Sequence, residues 1–181
     1  PTPTPAPYTE TKSSAASDVY KRQSYQMPCW PILSVFSKET VMGSTFQEIE
    51  IAAPSDKVWK TIRNFHDVSW APNVVTSLDI VGNKAGDQKG AGRVLNGVFH
   101  ETLRTLDDMS KTFTYSIDEG PGPLAESQVK NYVGRVLVEH IAGGTRVEWT
   151  SIWQENDEAV HDFCHPIYIA LLNDMKASLE S

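Results

Sequence analysis

The sequence predicts an α+β fold in which a curved, seven-stranded antiparallel sheet wraps around a long C-terminal helix. Two observations carry this. Residues 74–154 break into short runs that alternate apolar and polar side chains, separated by Gly-rich, Asn-Gly, Asp-Asp and Gly-Pro punctuation. From Val160 to Leu179 the apolar residues instead recur every three or four positions. A sheet of that length curls, and one helix must bury its stripe against the concave face without filling it. A cavity lined by large aromatics is the expected result.

The elements follow in order. Thr45 to Ile51 alternates and reads as a first strand at a sheet edge. Ala53-Pro54-Ser55 ends it. Ser55 is placed as an N-cap and Asp56 lies in the first turn, where negative charge is favoured. Val58, Trp59, Ile62 and Phe65 then give an amphipathic helix over Asp56–Asn64. A second short helix is expected over His66–Trp70, ended by Pro72, which disfavours helix at the residue before it. Strands are expected at Val74–Val81, Arg93–Asn96, Val98–Leu106, Thr112–Asp118, Gln128–Ile141 and Thr145–Gln154. Asn96-Gly97 marks a hairpin. Gly120-Pro121-Gly122-Pro123 forces a loop, which either simply joins two strands or gates a pocket mouth. Pro166 lies inside the C-terminal helical pattern and predicts a kink or break.

Bulk properties narrow the partners. The net charge is −7, and no long Lys/Arg run is present, which argues against nucleic acid or an anionic membrane surface. No apolar run approaches the ~18 residues of a membrane span. Cys29 and Cys164 are far apart, so neither a disulfide framework nor a structural zinc site is expected, and a reducing, cytoplasmic setting is the default.

Residues 1–41 are expected to stand outside the fold as a disordered segment. Pro1–Pro7 has no periodicity. Ser13–Gln23 is similar to the in-frame translation of a common sequencing-library adapter and is expected to be an assembly artefact. Met27–Phe36 is apolar but lacks the basic start and cleavage site of a secretion signal. The domain is expected to occupy 42–181, with Met42 as its natural start.

Candidate chemistry centres on Arg93 and Glu101, which flank the Asn-Gly hairpin. Glu101 lies two positions from Phe99 and from Leu103, on an apolar strand face. If that face is inward, burial raises the carboxyl pKa and the guanidinium lowers it. The bland reading is a structural ion pair. A strict two-residue turn would set Arg93 opposite His100 instead, and one residue of slip inverts the faces. Trp70, Phe99, Tyr115, Tyr132, Trp149, Ser151, Cys164 and Tyr168 are the candidate ligand contacts, with plain core packing as the alternative. Cys164 reads chiefly as a small buried hydrophobe. His161 and His165 share a helical face, but no further ligand is placed near them, so no metal is expected.

Several strings together carry a family resemblance: Ala53-Pro54 before Val58-Trp59, Phe65 leading to Trp70-Ala71-Pro72, Gly90 with Gly92-Arg93, Glu101-Thr102-Leu103 with Asp107-Asp108, and Gly143-Gly144-Thr145-Arg146-Val147 with Glu148-Trp149. In this order they resemble the START-like, Bet v 1-like (SRPBCC) superfamily, in its polyketide cyclase/dehydrase branch, over about Phe46 to Leu179. The resemblance implies a helix-grip fold and a hydrophobic small-molecule ligand such as a polyketide, lipid or terpenoid. It implies no cofactor. It further implies that residues at the Arg93 and Glu101 positions line the pocket, and that in enzyme members they take part in acid/base work. The superfamily spans cyclases, dehydratases, isomerases, carriers, sensors and interaction modules, so the fold leaves the reaction open. A monomer or homodimer is expected.

Overall fold

The computed structural model describes residues 42–154 and 158–181. The expectations of disorder, artefact and secretion for residues 1–41 fall outside them.

The strands are β1 (Met42–Ile51), β2 (Leu78–Val81), β3 (Gly92–Leu95), β4 (Phe99–Asp107), β5 (Thr112–Glu119), β6 (Lys130–Ile141) and β7 (Gly144–Gln154). The helices are α1 (Ser55–Ile62) and α2 (Glu158–Glu180), with one 3-10 turn at Gly122–Leu124. The strands form one seven-stranded sheet in the order β1-β7-β6-β5-β4-β3-β2, every neighbour antiparallel. This is a helix-grip fold. β1 is an edge strand, as its sequence predicts, and β2 is the other.

The inward face follows the alternation. Val147, Trp149, Ser151 and Trp153 of β7 are buried, as are Phe113 and Tyr115 of β5 and Tyr132, Val136 and Val138 of β6. The α2 stripe of Val160, Cys164, Tyr168, Leu171, Met175 and Leu179 meets this face. Irregularities in β4 between His100 and Glu101, and between Leu103 and Thr105, interrupt its register with β5. Such bulges bend a strand and re-aim its side chains. The α2 terminus is fastened to the β1 end: Lys176 Nζ donates to the Glu50 carbonyl at 2.5 Å, and the Ala52 amide to Glu180 Oε1 at 2.7 Å.

Four expectations change. The N-cap of α1 is Pro54 rather than Ser55, and no side-chain hydrogen bond caps the helix there. The segment His66–Trp70 is built from turns: the Asp67 amide donates to the Asn64 carbonyl and the Ala71 amide to the Val68 carbonyl. Asn64 and Asp67 side chains also accept from the His66 and Ser69 amides, a local alternative to the helical ladder. The second strand begins at Leu78 rather than Val74. Helix α2 runs through Pro166 without a break. Pro166 sits on the exposed face, where water can satisfy the carbonyl its missing N–H leaves free.

Candidate functional site

The hairpin between β3 and β4 decides the site. Asn96 and Gly97 both have positive φ, as a two-residue type I′ turn requires, and the Val98 amide closes it on the Leu95 carbonyl at 3.1 Å. The ladder then pairs Leu95 with Phe99, so Val98 is one extra residue. That slip sets Arg93 opposite Glu101, not His100, and both side chains turn inward.

Arg93 and Glu101 are each 7% exposed and paired. Arg93 Nε and Nη2 lie 2.8 and 2.7 Å from Glu101 Oε2. Nη1 donates to the Phe65 carbonyl at 2.7 Å, and the guanidinium stacks 3.7 Å above the Phe65 ring. Glu101 Oε1 has no hydrogen-bond partner among the described residues. Burial raises the Glu101 pKa above its ordinary 4.5, with Arg93 opposing that rise and Asp118 adding to it.

The pair borders a cavity of about 50 Å³ between the sheet and α2. Trp70, Phe99, Tyr115, Trp149, Cys164 and Tyr168 line it. Tyr132 and Ser151 do not, although both are buried and hydrogen-bonded to each other. The hollow expected from the fold is therefore mostly occupied by its own aromatics. Trp149 stacks on Tyr168 with centroids 5.1 Å apart and meets Tyr115 edge-on at 6.3 Å.

These aromatics carry a buried hydrogen-bond chain. Trp149 Nε1 donates to Tyr115 Oη at 2.9 Å, and Tyr115 donates to Tyr168 at 3.1 Å. Tyr168 and Tyr132 share a 2.5 Å bond, and Tyr132 donates to Ser151 Oγ at 2.9 Å. Ser151 meets Thr45 Oγ1 at 2.9 Å, at the β1 edge. Burial pushes the phenols of Tyr115, Tyr132 and Tyr168 above their ordinary values, and the Cys164 thiol up to about 11. All four stay protonated near neutral pH, so Cys164 is a poor nucleophile.

Other contributors escaped the sequence reading. Val74, Val75 and Leu124 line the cavity, and Leu124 follows directly on the Gly-Pro loop. Asn96 lines it too, and its side chain holds the segment of residues 74–77 in place. Gly134 faces Tyr115 across the β5–β6 ladder, and a Cβ there would lie 2.3 Å from the Tyr115 Cζ. A glycine inside a strand is the available signal for such a close approach.

His161 and His165 stack at 5.2 Å; His161 Nδ1 meets Asp162 and His165 Nδ1 meets Gln47. Among the described residues no group of three or more His, Cys, Asp or Glu could hold a metal ion. No helix among them is long and apolar enough to cross a membrane.

A curved sheet gripping one long helix around an apolar cavity with one buried ion pair defines a hydrophobic-ligand-binding domain of the Bet v 1-like class. The family model described as "Polyketide cyclase / dehydrase and lipid transport" matches residues 42–180, and the chain belongs to that family. Among solved structures, a protein from Nitrosospira multiformis is 36% identical, with a TM-score of 0.74 over 76% of this chain and 97% of its own. The protein XoxI from Bacillus cereus is 24% identical, with a TM-score of 0.62 over 76% of this chain and 95% of its own. Ara h 8.0201 is 14% identical, with a TM-score of 0.63 over 77% of this chain and 98% of its own. The last two likenesses show the fold alone. No curated protein matches the chain.

Proposed function

We propose that this chain binds a hydrophobic small molecule of polyketide, lipid or terpenoid type between the sheet and α2, and moves a proton to or from it at Glu101. The observation that carries this reading is the split carboxylate at the cavity wall: Oε2 is held by Arg93 while Oε1 is left free. A fixed carboxyl with a pKa raised by burial is better matched to proton transfer near neutral pH than an exposed one. Arg93 orients it, and the aromatic walls exclude water from the reacting group. Cyclisation, dehydration or isomerisation beside a carbonyl all need such a group.

Binding must enlarge the cavity. At about 50 Å³ it has room for a few water molecules, each needing roughly 10–15 Å³. Ligand sites for larger molecules span roughly 300–1,000 Å³. The wall formed by residues 73–77 is the candidate to move, because its fastenings are exposed side chains.

A second reading, an interaction module with a vestigial pocket, is favoured by the same small volume. It also gains from exposed Met42, Phe46 and Ile152, which share the outer face of β1 and β7. The cytoplasmic setting rests on the unpaired Cys164, and the absence of a nucleic-acid partner on the acidic charge.

The test is native mass spectrometry of chain purified from its source, followed by assay of Glu101→Gln on the co-purifying compound. Retained binding with lost turnover supports proton transfer at Glu101. Unchanged turnover refutes it, and binding without turnover in the parent chain makes the protein a carrier.

A further inference from the structure

We infer that the cavity selects uncharged ligands bearing a hydroxyl or amide donor and turns away carboxylates. This rests on the ligand-binding reading above and specifies the ligand class of that site.

Two observations lead to it. The first is charge. Among the described residues, the charged groups lining the cavity are Arg93 and Glu101 alone, and they neutralise each other. Every guanidinium nitrogen of Arg93 already has a partner, and one face lies on Phe65. A carboxylate entering here would meet the Glu101 carboxylate with no free cation to offset it. In a site of low dielectric such like-charge proximity is strongly unfavourable. Asp118 lies close enough to Glu101 to add to the negative potential.

The second is hydrogen-bond polarity. The proton of Trp149 Nε1 goes to Tyr115, that of Tyr115 to Tyr168, and that of Tyr132 to Ser151. The chain spends its donors internally, running toward β1. The aromatic chain therefore offers a ligand acceptor capacity, the unused lone pair of Tyr115 Oη, beside Glu101 Oε1. The remaining N–H groups of Arg93 sit next to the Glu101 carboxylate, so a ligand carboxylate reaches a donor only against that charge, whereas a hydroxyl or primary amide donates to Oε1 or Tyr115 without it.

The test uses two probes of nearly the same shape, 2-naphthamide and 2-naphthoate, titrated calorimetrically into the full chain at about pH 8, above the ordinary carboxylate range. The parent chain is expected to bind the amide about tenfold or more tightly than the carboxylate. Glu101→Gln releases Arg93 and should close or reverse that gap. A second variant, Ile117→Lys, places a second cation opposite Glu101, so that the lining carries a net positive charge, and should raise naphthoate affinity by about tenfold even if the first variant fails to fold. Equal or tighter naphthoate binding by the parent chain overturns the inference, as does an unchanged ratio in the folded variants. If neither probe binds any form, the ligand-binding reading itself fails, an outcome distinct from wrong selectivity.

Discussion

The two sides of the cavity are held by similar numbers of hydrogen bonds in opposite surroundings. On one side, Tyr115, Tyr132, Tyr168, Trp149 and Ser151 bond to one another in the buried interior. On the other, residues 73–77 are held from outside. The Asn73 amide and Nδ2 donate to Asp174 of α2 at 2.8 and 3.0 Å. Asn96 Oδ1 accepts from the Thr76 amide at 2.8 Å, and its Nδ2 donates to the Val74 carbonyl at 3.0 Å. All of these outer bonds are exposed. Breaking a buried bond strands a desolvated polar group, at a cost of ~1–3 kcal/mol, whereas an exposed bond exchanges with water for little net change. The first wall is therefore built to stay and the second to open.

The largest expected effect lies in the ion pair at the rigid side. Arg93→Ala leaves the Glu101 carboxylate buried and unpaired, and should cost about 3–5 kcal/mol in chemical denaturation. A loss near zero would mean that the pair is solvated. The pH dependence has a definite sign. The folded Glu101 pKa lies above its ordinary 4.5, so the folded chain holds that proton more tightly than the unfolded chain. The resulting stabilisation is complete below the ordinary value and is lost as pH rises through the raised one. Glu101→Gln should flatten that part of the stability profile; a parallel profile would contradict the burial.

Next come the packing and hydroxyls of the same wall. Gly134→Ala drives a methyl into the Tyr115 ring and should cost about 1–3 kcal/mol. Tyr132→Phe strands its partners Ser151 and Tyr168, for a similar loss of about 1–3 kcal/mol.

The outer wall should respond differently. Asn96→Gly tolerates the positive φ while removing the side-chain bonds, and should cost only about 1 kcal/mol. Hydrogen exchange of the Thr76 and Ser77 amides should accelerate while that of β5 stays unchanged. Acceleration spread over β5 would erase the contrast between the walls. Asp174→Ala, which removes the outer bonds to Asn73, should have the smallest effect, about 0.5 kcal/mol.

What the sequence revealed divides along the same line. Period-two alternation exposed Trp149, Ser151 and Trp153 as one face, because a half-buried strand imposes that pattern. Arg93 and Glu101 stood out by chemistry, yet their pairing hung on Val98, an extra turn residue that no local preference announces. Val74 and Val75 carry β-forming side chains, but Asn96 takes up the backbone there, so the segment is not a strand. Tyr132 and Ser151 are buried with the inward face yet do not line the cavity, a matter of depth that periodicity does not encode. The size of the cavity was equally hidden, since it depends on how far each ring reaches inward.

The central claim, that a small molecule lodges between the sheet and α2, is tested most directly by the indole N–H resonances of ¹⁵N-labelled chain titrated with 2-naphthamide. Trp70 and Trp149 border the cavity and should shift together in a saturable way, while Trp59, tied to Asp108, and Trp153, packed on Tyr132, stay nearly still. Saturation with Trp70 and Trp149 unmoved would place the probe elsewhere and contradict the account.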